Sequence, residues 1–497
     1  MTNFNLLGSW VFRYSDNGGR SWSSSRFNLT GPDGGVYRLT DIDLSNSWNG
    51  TVREGWSVGK PLIADDGATV LMQFSKVSTF AGRSEGFFLR SQNVLNPATR
   101  AEEVSFELVP RGQFGFRATA GSIAEEGGVV QLPERGSFYA VYRTMAGFLN
   151  VATSIDGIDW RDAQYAYYDS ADYGGGMYEH RLKQPRGPIT PRRFSNGRFL
   201  LALHLNGFTP GWDMRDPYFL VGGIEQNGTI VWSQPEVALY ILPPCAEKRC
   251  GIGYPDFVEV GSSRVDEATA WQIFITETDK VTSRVHALDM ALLARLWNQS
   301  VARDVAEGKA AEWTRGGLLP IAAPLFGNLS AGASFSIEVG LEGDELHKLP
   351  LNAALLDCRN DHGTGIAILV GSSMGHVTMN ISFCDVASHC QTWDTDAEAD
   401  FQARGRWAHA VFIVDGRSRT IMTVSNGKWA DGGAQRKQGY VHLGGGKAGD
   451  GGIGVVAGAK SCTVNKGAVQ MLRIYSRALT VSEAIGNWRH RQHGISP

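Results

Sequence analysis

Short runs of β-branched and aromatic residues, each bounded by Gly, Asn or Asp, fill residues 1 to about 290. G-T-I-V-W-S, F-Y-A-V-Y-R-T, R-F-L-L-A-L-H-L and W-Q-I-F-I-T-E-T are examples. Turn dipeptides recur between them: Gly18-Gly19, Asp156-Gly157, Asn196-Gly197 and Asn227-Gly228. Residues of the first kind suit a pleated sheet, and dipeptides of the second supply the positive-φ positions of tight hairpins. A chain punctuated this way is expected to be all-β, and regular short strands with hairpin turns suggest a propeller or a sandwich. Composition agrees: charged residues are 20 %, Gly numbers 61 of 497 and Trp 14, which argues against coiled coil or disorder.

The net charge of −3 gives no electrostatic case for nucleic acid or an acidic membrane. No apolar run approaches the roughly 18 residues that span a bilayer. One strong helical signal interrupts the strands. Ala287 to Trp313 carries apolar residues at helical spacing among good helix formers, and places a helical linker at 291–315. Strand patterns then resume in A-S-F-S-I-E-V-G-L, G-I-A-I-L-V-G and W-A-H-A-V-F-I-V-D, so 316–497 reads as a second all-β domain of sandwich size. The domains expected are 1–290, 291–315 and 316–497.

Six cysteines are present: Cys245, Cys250, Cys358, Cys384, Cys390 and Cys462. Cys245 with Cys250, and Cys384 with Cys390, could each close a short loop, and no C-x-x-C pair suggests zinc. Asn-X-Ser/Thr triplets begin at Asn28, Asn49, Asn227, Asn298, Asn328 and Asn380. Together they point to a secreted protein. The N-terminus does not read as a signal peptide, which implies a truncated start or a cytosolic protein. The expected state is a monomer.

The stretch S-D-N-G-G-R-S-W, Ser15 to Trp22, fits neither an EF-hand nor a phosphate loop. It fits a hairpin in which Ser15 bonds the local backbone and Trp22 packs beneath the turn. Relatives of it occur at Ser154 (S-I-D-G-I-D-W) and at Glu225 (E-Q-N-G-T-I-V-W-S-Q-P-E). The set resembles the Asp box of sialidases and related BNR-repeat propellers, with Asn17 at the Asp position. The stretches around S-I-A-E-E-G-G-V-V-Q-L, K-Q-P-R-G-P and G-Y-P-D-F-V-E extend the likeness over residues 10 to 290. The resemblance implies a six-bladed propeller whose first blade is short of strands. It also implies a site in which three arginines hold a substrate carboxylate, a Tyr activated by a Glu attacks the anomeric carbon, and an Asp is acid/base. A guanidinium fork meets a carboxylate with two parallel hydrogen bonds, which is why Arg suits that place.

Arg117, Arg143 and Arg186 are the substrate-binding candidates that the resemblance suggests. Tyr254, Asp256, Glu125 and Glu277 are the catalytic ones. Glu277 stands within an apolar strand, where an unpaired carboxylate would be costly. The F/Y-R-I-P strand that usually carries the first arginine of the family is missing, because only fourteen residues precede Ser15 and V-F-R-Y is not that motif. Asp41 and Asp43 are weak substitutes for its acid/base Asp. His180 and His204 are read as hydrogen-bonded core or rim residues, so no metal and no cofactor is expected in this half.

G-A-V-Q-M-L-R-I-Y-S-R-A-L-T-V-S-E-A, Gly467 to Ala484, resembles the last strand and exit of LamG or concanavalin A-like jelly-roll domains. W-A-H-A-V-F-I-V-D-G and S-F-S-I-E-V resemble earlier strands of that fold. Such domains often bind glycans, sometimes with calcium, so calcium is an open expectation there. Trp393 and Trp429 are read as either sugar-stacking or buried. The first functional expectation is a sialidase-like hydrolase acting on glycans. The alternatives are a non-catalytic carbohydrate-binding protein and a propeller glycosidase or lyase using Glu125 and Glu277 as acid and base.

Overall fold

The computed structural model describes residues 11–494, apart from 37–53, 57–59, 78–83, 112–114, 117–123, 145, 169–179, 185–186, 206–214, 242–251, 262–270, 279–280, 316–325, 327–328, 330–331, 374, 385–389, 397–406, 434–435, 437 and 443–461. The described chain is nearly all β, and every pairing of named strands is antiparallel.

A small hairpin, Val11–Phe12 with Phe27–Asn28, comes first. Four meandering sheets follow in chain order. One is built on Val70–Val77 and Ser84–Ser91. The second orders Gln164–Tyr165, Asn150–Ser154, Phe138–Thr144 and Ala124–Gln131. The third runs from Thr190–Arg193 through Phe199–Leu203 and Tyr218–Gln226 to Thr229–Trp232. The fourth is Asp256–Val260, Gln272–Thr278 and Ser283–Ala287. The strand Ala124–Gln131 packs against both Val70–Val77 and Thr190–Arg193, so successive sheets meet along these strands.

Local chemistry explains the turns. The Ser15 hydroxyl accepts the Gly19 N–H at 2.8 Å, and the Asn17 side chain accepts the Ser21 N–H at 2.9 Å. The Ser154 loop repeats the device: its hydroxyl accepts the Gly157 N–H at 2.9 Å, and Asp156 accepts from Ile158 and Asp159. Trp160 then packs into the core beside Phe88 and Phe116. Trp22 does not follow the expectation. It is 60 % exposed, because the hairpin packs on its neighbours through Phe12 and no described residue closes over the Trp22 ring.

The C-terminal part holds two facing sheets. One has seven strands, with Lys309–Thr314, Val469–Tyr475, Ser334–Glu342, Trp407–Asp415 and Thr420–Ser425 adjacent in that order. The other has five, centred on Gly365–Ser373 and His376–Cys384. Side chains alternate across a strand. Ala410, Phe412 and Val414 therefore enter the core between the two sheets, while Val411 and Ile413 point the other way. That other face is not solvated. It shares one core with Tyr139, Val141, Leu201, Phe219 and Trp232 of the N-terminal half.

The segment 291–315 differs from expectation. The helix is Met290–Trp297, started by the Asp289 carboxylate on the Ala291 N–H and stopped at Asn298. Lys309–Thr314 is a strand paired with Val469–Tyr475. Helical periodicity continued past Trp297, but pairing with an open sheet edge outweighed propensity in Lys309–Thr314. Two further helices, Gly343–Lys348 and Val481–Gly494, were not expected. The last is the longer. It starts with a capping box: Glu483 accepts the Thr480 N–H at 2.9 Å, and the Thr480 hydroxyl accepts the Glu483 N–H at 3.2 Å.

Two disulfides are present among the described cysteines. Cys384–Cys390 is the short loop expected, and Cys358–Cys462 spans 104 residues. Cys245 and Cys250 lie outside the described residues.

Candidate active site

The site is assembled from the ends of strands in three sheets. Strand Ala124–Gln131 pairs with Phe138–Thr144 through a bulge. Glu125 faces Arg143 and Gly128 faces Val141, so three steps on one strand meet two on the other. A bulge re-aims the side chain it carries. Here it turns Glu126, at φ 47°, toward the buried Arg143, whose Nε lies 2.8 Å from the Glu126 carboxylate. Glycine makes room behind the pair. A Cβ on Gly127 would lie 2.3 Å from the Val141 carbonyl, and one on Gly86 2.4 Å from the Tyr142 ring.

Arg215 and Tyr254 complete the group. Arg215 is buried, its guanidinium 6.0 Å from the centre of the Tyr254 ring, and its side chain hydrogen-bonds the Tyr254 hydroxyl. Burial, and then the Glu126 carboxylate, raise the Tyr254 pKa above its ordinary value, while Arg215 and Arg143 oppose the rise. The resting side chain is a neutral phenol, and a nearby base is needed before it can attack.

The floor is histidine and tyrosine. The His204 and Tyr218 rings are 4.4 Å apart, and His204 Nε2 lies 2.7 Å from the Ile252 carbonyl, to which it donates. Burial, then the Arg215 charge, hold the His204 pKa down to about 3, so the ring is neutral. Apart from this floor, beside Asp431 and Trp429, His180 Nδ1 is 2.7 Å from the Tyr168 hydroxyl. Both histidines are thus the hydrogen-bonded core residues expected.

Glu126, Leu205 and Tyr254 all hold positive φ, at 47°, 49° and 47°. Asn and Asp tolerate that region; Glu, Leu and Tyr rarely enter it. Three such residues around one buried charge cluster mark strain held in place by surrounding structure, the usual signature of a functional site.

The candidates named from sequence fall as follows. Arg143 and Tyr254 are in the cluster. Glu277 is buried beside it and acts electrostatically on Tyr218, but its carboxylate is held by Arg284 at 2.5 Å and by His286 at 3.2 Å. Asp256 begins its strand, accepts the Phe257 N–H at 2.8 Å and stands 3.6 Å from Lys60 Nζ. Arg117, Arg186, Asp41 and Asp43 lie outside the described residues, as does the Glu125 side chain. The carboxylate that meets Arg143 is that of Glu126. Arg215 was not singled out from sequence, and Glu126 was passed over for its neighbour Glu125. Glu126 adjoins Glu125 in E-E-G-G, where the glycines hint at a bulge. Arg215 stands before Asp-Pro in a turn-rich stretch and gives no signal of its own.

In the C-terminal part Trp429 is fully buried, which overturns its sugar-stacking reading. Packing it under Tyr168 and Phe219 removes more apolar surface than any exposed placement would. Trp393 is partly buried, and the Arg436 guanidinium lies 4.6 Å from its ring centre. No group of three or more His, Cys, Asp or Glu side chains is placed to hold a metal ion among the described residues.

No protein-family model matches the chain, and no curated protein matches it. Solved structures do. The chain is similar to a Trypanosoma rangeli sialidase in complex with sialic acid, at 12% identity over 97% of this chain and 77% of that one, with a TM-score of 0.30. It is similar to a mutant of NanB sialidase from Streptococcus pneumoniae, at 15% identity over 56% and 36%, TM-score 0.33. It is also similar to the intramolecular trans-sialidase from Ruminococcus gnavus in complex with oseltamivir carboxylate, at 14% over 57% and 50%, TM-score 0.33. At such identities and scores the likeness carries no weight, and the site stands on its own geometry.

Proposed function

We propose that the chain is a sialidase-like glycoside hydrolase that releases terminal acidic sugars from glycans with retention. The observation that carries this reading is the convergence of Arg143, Arg215, Glu126 and Tyr254. Arg143 and Arg215 bind the substrate carboxylate, and charge-assisted forks give that contact both energy and orientation. Glu126 takes the Tyr254 proton as the phenol oxygen attacks the anomeric carbon, and the glycosidic C–O bond breaks with Asp256 protonating the departing oxygen. Water activated by Asp256 then cleaves the sugar–tyrosine bond, and Glu126 returns its proton to Tyr254. A neutral nucleophile avoids the repulsion that a carboxylate would meet from an anionic sugar, which is the departure of this class from two-carboxylate hydrolysis. Glu277 holds the outer strand through Arg284 and tunes the floor. Arg117 and Arg186 remain proposed carboxylate ligands, Glu125 a proposed second carboxylate, and Asp256 the proposed acid/base.

The architecture we propose for it is a six-bladed propeller over 1–290 and a concanavalin A-like sandwich over 316–497 that binds glycan. Two disulfides support an oxidising, extracellular setting. The pairing of Asp256 with Lys60 favours a second reading, a carbohydrate-binding protein without turnover, because it draws the proposed acid away from its task.

Hydrolysis of a fluorogenic sialoside by the purified protein decides between the two. Release by the wild type, lost in folded Arg143→Ala and Arg215→Ala, is the expected result. No release by protein whose circular dichroism shows a native β spectrum would overturn the hydrolase and leave the binding protein.

A further inference from the structure

A cavity of about 290 Å³ lies between the leading strands of neighbouring sheets, apart from the site above. The segment from Lys60 to Ile63 closes one side, and the strands Ala124–Gln131 and Thr190–Arg193 the others. None of Glu126, Arg143, Arg215, Tyr254 and Glu277 lines it. Its nearest tie to them is the Thr190 hydroxyl, which donates to the Pro255 carbonyl at 2.7 Å.

Three cations line this cavity: Lys60, Arg192 and Arg193. Two have carboxylates. Arg193 forks onto Asp65 and donates to the Gln131 carbonyl at 3.1 Å. Lys60 stands 3.6 Å from Asp256, beyond hydrogen-bond length. Arg192 has neither an ion-pair nor a hydrogen-bond partner among the described residues, and its Nε is shut off from solvent without an acceptor. Arg192 is only partly exposed, its enclosed Nε lacks an acceptor, and an oxyanion is the group that a guanidinium fork meets best.

Size and lining narrow the class. At about 30 Å³ per water the space exceeds what an inorganic anion needs, and it approaches the lower end of small-molecule pockets. Leu62, Ile63, Val129 and Pro191 give it apolar walls that suit a carbon body. We infer that this cavity is a second binding site for a small organic oxyanion of monosaccharide size, with its acidic group on Arg192 and Lys60. The site shares no residue with the acidic-sugar site proposed above and borders it where Lys60 stands 3.6 Å from Asp256.

Isothermal titration of the full chain with glucuronate, inorganic phosphate and uncharged glucose tests the inference. Glucuronate binds, phosphate binds more weakly and glucose does not. Arg192→Gln weakens glucuronate about tenfold or more, while Arg143→Ala and Arg215→Ala leave a binding event of full stoichiometry. Lys60→Met weakens it severalfold and, because Lys60 is exposed, serves should Arg192→Gln fail to fold. Three outcomes overturn the inference: no binding of either anion, binding that Arg192→Gln and Lys60→Met leave unchanged, or binding lost only in the Arg143 and Arg215 variants. The last would assign glucuronate to the proposed active site alone. Failure to hydrolyse a sialoside has no bearing on these results.

Discussion

Tyr254 and Glu126 share a backbone conformation that neither residue type favours, and they share one electrostatic neighbourhood. If Tyr254 is the nucleophile, removing a single oxygen removes the chemistry while leaving the ring packed. Tyr254→Phe is expected to lower kcat on a sialoside by about a hundredfold or more, with KM nearly unchanged and a melting temperature close to wild type. A loss confined to KM would show that the hydroxyl serves binding alone. Glu126→Gln, which removes the base and unpairs Arg143, is expected to lose both activity and stability, and its effect should exceed that of Glu125→Gln.

His204 gives the residue scale a prediction that needs no substrate. Its pKa is about 3 in the folded chain against an ordinary 6.5. Because the folded value is depressed, the unfolded chain takes up a proton first as pH falls. The stabilisation is therefore complete above pH 6.5 and is lost between 6.5 and about 3. The slope from this one group is about 1.4 kcal/mol per pH unit. Urea unfolding between pH 7 and 4 should show a shallower decline for His204→Gln than for wild type by roughly that amount. Equal slopes would mean that the ring is protonated in the folded protein.

Among the elements, the bulge in Ala124–Gln131 is the most exacting, since it aims Glu126. Gly127→Ala would drive a Cβ against the Val141 carbonyl. The expected cost is about 1–3 kcal/mol of stability, with activity falling further than stability explains. Equilibrium denaturation and steady-state rates, measured together, check it. In the sandwich, Cys358–Cys462 ties the strand Ala354–Asp357 to Thr463–Val464 across 104 residues. Loops of about that length gain the most from closure, so replacing both cysteines by Ala should cost about 2–5 kcal/mol. Replacing Cys384 and Cys390, whose separation is 6, should cost less. The helix Val481–Gly494 was legible in principle, through the T-V-S-E box. That Lys309–Thr314 is a strand was not, because its partner Val469–Tyr475 comes from far along the chain.

On the scale of the whole molecule, the two halves share polar contacts as well as a core. Glu236 of the N-terminal half accepts the Val481 and Ser482 N–H groups at the start of the last helix. Gln234 donates to the Gly427 carbonyl at 2.8 Å, and Lys183 pairs with Asp431 at 3.3 Å with both side chains buried. Trp429 is sealed into the same junction. Trp429→Ala is expected to cost about 3–5 kcal/mol and to lower the stability of the entire chain in one calorimetric transition. Two separate transitions, only one of them shifted, would show that the halves fold independently.

What the sequence determined by itself is local. β-branched and aromatic runs with glycine and asparagine between them dictate short antiparallel strands and hairpins, because those preferences act over a few residues. Ser154 and Asp156 carry their turn in their own side chains, and Arg143 could be found at the end of its strand for the same reason. Which faces are buried was left to the tertiary structure. Trp22 and Trp429 look alike in sequence, yet one is exposed and the other enclosed, because only the second joins a core among the described residues. The site is the extreme case. Glu126 and Arg143 come from paired strands of one sheet, Arg215 and Tyr254 from beside two others, and their burial, charges and strained backbones acquire meaning only when packing brings them together.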